Sequence, residues 1–257
     1  MFQDLELYTA ELKRCMSLSS NPVGIKLLTK ANELVDNPDI RILTSTAPCQ
    51  MAAIARYDRE DTVVGASARA IKCLWGAACF GMIRTPQRLI DGTPLLPFVK
   101  DEASAKKLHQ SMSMLGDHGA KYAGAIIGPL NRMPVQPDAV VIYLNPAQAL
   151  RLIIAFAYKD GEAVTSVMTG QASLCSAVAL AVEEGRITID IPCMGDRTYG
   201  LVQEHELLMA FPASKLPELI EGVKMTESVA AYPYGPFLRW PVIFPPNFET
   251  RLSELDK

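Results

Sequence analysis

Short apolar runs of strand length alternate along this chain with amphipathic stretches of helical length. PVGIKLL, residues 22–28, is almost continuously apolar and opened by proline, a pattern that predicts a buried strand. TKANELVD follows with a helical pattern, and STAPC then ends at Cys49. DAVVIYL, residues 138–144, predicts a second buried strand, and NPAQALRLIIAFA after it predicts a helix capped by Asn145 with Pro146 in its first position. TGQASLC then ends at Cys175. From Cys49 the chain reads CQMAAIA and from Cys175 CSAVALA, both small-residue runs suited to a tightly packed helix. Each leads through a turn to a further cysteine, Cys73 or Cys193. LPFVKDEASAKKLHQSMSML (96–115) and LMAFPASKLPELIEGVKM (208–225) then match as strand, turn and lysine-bearing helix.

Elements recurring in one order, with cysteines at two corresponding points, imply an internal duplication. The expected architecture is α/β (α+β): two pseudo-symmetric repeated halves packed together, with mixed sheets and flanking helices. Residues 1–20 form an N-terminal helix, 21–115 the first half, 116–135 a connector, 136–226 the second half and 227–257 a C-terminal arm. Within the connector, YAGAIIGPL is apolar enough to be a buried strand. The arm contains AAYPYGPFLRWPVIFPP, whose five prolines among 17 residues forbid a helix. Its five aromatics suit packing over a groove or a partner subunit, and so point to a homodimer.

Composition narrows the function classes. At 257 residues with 49% hydrophobic and 21% charged side chains, the chain can bury a large core, and a net charge of −3 with no basic block excludes a nucleic-acid coat. No apolar stretch approaches the roughly 20 residues of a membrane span. MFQDLELYTAELKRC lacks the basic start and apolar run of a secretion signal, so a cytoplasmic location is expected. There thiols stay reduced, which turns clustered cysteines from disulfides toward metal ligation, reactivity or packing.

Four of the 6 cysteines, Cys49, Cys73, Cys175 and Cys193, correspond pairwise and stand at element boundaries. Cys49 and Cys175 open helices, where unpaired N–H groups favour a thiolate. Four thiolates across an approximate two-fold would suit an iron–sulfur cluster or a tetrahedral zinc, although no local C-x-x-C is present. Cys15 and Cys79 lack counterparts and read as core. In PCMGDRTYG, Gly195 and the turn hold Arg197 near Cys193, where a guanidinium could bind a carboxylate or phosphate or lower the thiol's pKa, unless Asp196 and Arg197 merely form a surface turn. Arg69 and Lys72 stand near the first cysteine pair, and His118 in GDHG is the histidine best placed to assist. Neither a dinucleotide fingerprint nor a phosphate-binding loop occurs.

At NPVGIKLL, APCQMAAIA, KCLWGAACFGM, SLCSAVALA and IPCMGDRTY the chain resembles the archaeal and bacterial family catalogued as domain of unknown function 169. That resemblance covers most of the chain and implies spaced cysteines and a C-x-G-x-R-like turn, supplied here by Cys49, Cys73, Cys175, and Cys193 with Gly195 and Arg197. It implies anaerobic hosts, compatible with an oxygen-sensitive cofactor, and no particular activity. Three readings stay open. The first is a cofactor-binding protein, with an iron–sulfur cluster preferred to zinc, serving redox chemistry or a small anionic metabolite. The second is a cofactor-free enzyme with a cysteine nucleophile acting on a small carbonyl or carboxylate compound, Arg197 orienting the substrate. The third is a non-catalytic small-ligand protein whose cysteines only pack.

Overall fold

Strands that are apolar on both faces need cover on both faces, and the chain supplies it with helices. The structure, a computed structural model, describes residues 2–34, 37–58 and 60–232. Its elements run α1 (Phe2–Met16), β1 (Val23–Leu28), β2 (Ile40–Leu43), α2 (Pro48–Tyr57), β3 (Val63–Ser67), α3 (Leu74–Cys79), α4 (Gln87–Ile90), α5 (Glu102–Gln110) and β4 (Gly124–Pro129). They continue with β5 (Ala139–Leu144), α6 (Pro146–Ala157), α7 (Ser173–Glu183), β6 (Thr188–Asp190), α8 (Met194–Tyr199), β7 (Leu207–Pro212), α9 (Leu216–Met225) and α10 (Glu227–Ala230).

The α/β class with flanking helices is observed, built on one mixed sheet in the order β2-β3-β4-β1-β5-β7-β6. Among the described strands, only β2 and β3 pair in parallel; the other neighbours are antiparallel. Alternation along the strands sorts two cores. Val23, Ile25 and Leu27 of β1, Ala139, Val141 and Tyr143 of β5 and Leu208 and Ala210 of β7 face α2, α3 and α7. Leu28, Val140, Ile142, Leu144, Met209 and Phe211 face α1, α6 and α9 on the other side. Each Leu or Ile fully buried in this way contributes roughly 1.5–3 kcal/mol.

The expected cap of α6 is present. Asn145 Oδ1 accepts from the Gln148 N–H at 2.8 Å, and Gln148 Oε1 accepts from the Asn145 N–H at 2.8 Å. Other expectations are corrected. Residues 31–34, expected in an α-helix, form a 3-10 turn (Ala31–Leu34), and β2 follows where no strand was foreseen. The strand expected at 96–98 is instead the end of a 3-10 turn (Thr93–Phe98), because Pro94 and Pro97 lie within it and Gly92 turns left-handed before it. The strand beside β1 comes from the presumed connector: β4 is buried along its whole length. The C-terminal arm beyond Tyr232, with its bearing on a homodimer, lies outside the described residues.

Helix α9 crosses α6 at Gly222, where a Cβ would stand 1.9 Å from the Ala155 carbonyl oxygen. Gly222→Ala should therefore destabilise by at least about 2 kcal/mol, read as a lower urea midpoint. An unchanged midpoint would contradict this close crossing.

Candidate functional site

The four paired cysteines all stand where a helix begins, on the same face of the sheet. Cys49 is the second residue of α2 and Cys175 the third of α7, while Cys73 and Cys193 occupy the N-cap positions of α3 and α8. Proline favours the start at Pro48, since its missing N–H is one the first turn leaves unpaired anyway. Two glycines let the helices close on one another. A Cβ on Gly76 would stand 2.6 Å from Pro48 Cδ, and one on Gly200 would stand 3.2 Å from Cys49 Cβ. In consequence α2 packs on α8 and α7, and α3 packs on α7. Ser173 Oγ donates to the Ile191 carbonyl at 2.8 Å, tying the start of α7 to the segment that carries Cys193.

The backbone around the group is strained at two points. Ala172, immediately before α7, and Leu201, just after α8, adopt φ of 50° and 56°. Left-handed conformations at such residues cost roughly 1–3 kcal/mol and concentrate at functional sites.

The thiols lie near enough to act on one another electrostatically. Burial, then Asp196, Cys73 and Cys193, push Cys49 up to about 12. Burial is also the main cause holding Cys175, Cys79 and Cys193 above the ordinary thiol range, with the neighbouring thiols or Asp196 adding to it. The unpaired N–H groups of the helix starts pull the other way at Cys49 and Cys193, and desolvation outweighs them. The groups expected as thiolates at these helix starts are therefore held as thiols. Asp196 is itself buried and its carboxyl raised; its Oδ2 accepts from the Leu174 N–H at 3.3 Å and from the Cys193 thiol at 3.5 Å.

The structure exchanges the expected roles of Asp196 and Arg197. Asp196 turns into the site, whereas Arg197 Nη1 donates to the Gln203 carbonyl at 2.9 Å. Gly195 lies beside the thiol, since a Cβ there would stand 3.6 Å from Cys193 Sγ. Arg69 and Lys72 are exposed, and Lys72 Nζ donates to the Arg69 carbonyl at 2.9 Å. His118 is exposed on the surface, 3.2 Å from a carboxylate oxygen of Glu183. None of these four side chains hydrogen-bonds to a thiol. Cys15 lies on the opposite face of the sheet, its thiol donating to Glu11.

Three participants escaped the sequence reading. Cys79, fully buried at the end of α3, belongs to the thiol group. Tyr143 feels the charges of Asp196, Cys49 and Cys175, and lies 3.8 Å below the Arg56 guanidinium. Arg56 is buried, ion-paired to Glu206 and donating through Nε to Ser20 Oγ at 3.1 Å, while its Nη1 has no hydrogen-bond partner. It is the cation whose charge reaches Asp196. Arg56 lies in the last turn of α2, on a chain position that reads as an ordinary last-turn base.

Among the described residues, no three histidine, cysteine or acidic side chains stand close enough to hold one metal ion. A tetrahedral zinc, with four sulfurs about 2.3 Å from one centre, does not fit the side chains as they stand. A polynuclear cluster, whose cysteines bind different irons, calls for donors spread more widely.

The geometry thus defines an α/β protein with a group of neighbouring thiols on one face of a shared sheet. The family model described as Uncharacterised ArCR, domain of unknown function 169, matches residues 11–222, and the chain belongs to that family. An uncharacterized protein of Methanocaldococcus jannaschii is 27% identical over 218 residues, spanning 83% of this chain and 91% of that protein. No solved structure matches.

Two outcomes follow. Cys73 and Cys193, the two partly exposed thiols of the group, should be alkylated by iodoacetamide before Cys49, Cys79 and Cys175 in the folded, metal-free protein, as read by peptide mass spectrometry. Labelling of Cys175 first would contradict the geometry. Burial also pushes Asp190 up to about 6 from 3.8, so its contribution to stability is present below about pH 4 and lost as pH rises through 6. Asp190→Asn should flatten the decline in urea stability between pH 4 and 6; an unchanged slope would refute that assignment.

Proposed function

We propose that this protein holds an iron–sulfur cluster on Cys49, Cys73, Cys175 and Cys193 and serves redox chemistry or the handling of a small anionic metabolite. The observation that carries this reading is the gathering of five thiols and a buried carboxylate with no cation in direct contact among the described residues. Such a group is costly to leave empty and ionised, and a multiply charged iron core would reverse the balance by favouring the thiolates and the helix-start N–H groups beside them. Cys79 and Asp196 would lie around the core rather than in the pairwise set.

The internal duplication belongs to the same proposal. From the sheet centre outward, one side runs β1, β4, β3 and the other β5, β7, β6. On each side a cysteine-bearing helix precedes the outermost of these three strands, and a cysteine-capped six-residue helix follows it. Two copies related across β1 and β5 would bring two cysteines each to one site. Among the described residues, no helix is long and apolar enough to cross a membrane, which accords with the cytoplasmic placement we infer.

A second reading has its own support. Cys193 is partly exposed beside Asp196 at 3.5 Å, the pairing a thiol nucleophile and a general base would need, with no bound cofactor. Purification without oxygen, followed by iron and acid-labile sulfide assay, separates the two. The cluster reading expects both elements together and their joint loss in Cys49→Ser and Cys175→Ser, with the α/β circular dichroism retained. Folded wild-type protein that takes up neither on anaerobic reconstitution would overturn it and leave the nucleophile.

A further inference from the structure

A second opening, of about 680 Å³, lies at the other end of α7, between β1, the loop before β4 and the turn after β7. Three ammonium groups line it, Lys26, Lys121 and Lys215, against one carboxylate, Asp138. Both oxygens of that carboxylate are engaged: Oδ1 accepts from Lys26 Nζ at 2.7 Å and Oδ2 from the Leu27 N–H at 2.8 Å. Lys215 is held at 3.0 Å by both oxygens of Glu218, and the same Glu218 also pairs with Lys159 at 3.3 Å, so one carboxylate serves two ammonium groups. Lys121 makes no ion pair among the described residues; the Tyr122 ring, 5.3 Å from its Nζ, is the contact it has. Positive charge therefore exceeds negative here, in a chain whose net charge is −3. Leu27, Val182 and Pro212 add an apolar wall, and the volume lies within the usual 300–1,000 Å³ of a small-molecule pocket.

We propose that this opening binds a small molecule bearing two negative charges on a short hydrocarbon body, a dicarboxylate or a phosphate ester. Lys121 takes one charge and Lys215 shares in the other, while the apolar wall receives the body. The inference rests on the small anionic metabolite named above as a partner and gives it a place separate from the thiols. Because the test below reads neither iron nor sulfide, its failure and that of the cluster reading are distinguishable.

The test is calorimetric titration of the full chain with succinate and with inorganic phosphate at low ionic strength, where exposed charges are least screened. Saturable binding of one probe is expected, and which one it is separates a carboxylate from a phosphate ligand. Because a charge-assisted contact is lost, Lys121→Ala should weaken binding about tenfold or more, with Lys121→Arg restoring most of it. Absence of saturable binding of both probes, or Lys121→Ala binding as tightly as wild type, would overturn the proposal.

Discussion

Everything in the described structure hangs on the antiparallel pairing of β1 with β5. It is the one strand pairing among the described residues that joins β1–β4 to β5–β7, and its ladder is short: Val23 faces Val141, Gly24 faces Val140 and Ile25 faces Ala139. Where the ladder stops, Asp138 continues it with its side chain, accepting the Leu27 N–H that would otherwise lack a partner and neutralising Lys26. A buried backbone donor left unpaired would cost as much as a lost hydrogen bond, so this carboxylate closes the seam. The seam also fixes where α2 and α7 lie on the shared face, and thereby which cysteines can meet.

Gathering thiols on that face sets burial against ionisation. The starts of α2 and α7 supply N–H groups that would favour thiolates, yet desolvation and mutual repulsion keep the buried thiols protonated. The fold also supplies Arg56, buried against Tyr143 and Glu206, as the cation nearest in effect to Asp196. Removing either partner of such a buried pair would leave an uncompensated charge, so Arg56 and Glu206 secure α2 as well as tuning the site. The left-handed residues Ala172 and Leu201 show the same tension: the backbone accepts unfavourable angles beside α7 and α8.

Much of this was legible in the sequence where a local rule had no tertiary rival. The proline-led β1, the apolar β5, the capped α6 and the cysteine-led α2 and α7 each follow from spacing and capping chemistry. The strand β4 could be suspected from the apolar YAGAIIGPL, but its glycines and prolines also suit a connector, and only its neighbours β1 and β3 make it a central strand. Asp196 and Arg197 could not be told apart by pattern, since adjacent residues on a helix point about 100° apart and the sequence does not say which direction faces the core. Cys79 had no counterpart in the other half and read as core, and it is indeed fully buried in the core, within reach of the other thiols. Arg56 gave no signal, because burial of a base is decided by a partner 150 residues away.

In the proposed function, thiols from both sides of the β1–β5 seam ligate one polynuclear centre. The decisive measurement is an iron-edge X-ray absorption spectrum of protein isolated without oxygen. A first shell of sulfur alone with a second iron behind it is expected. A first shell of nitrogen or oxygen, or an isolated iron with no iron neighbour, would contradict it.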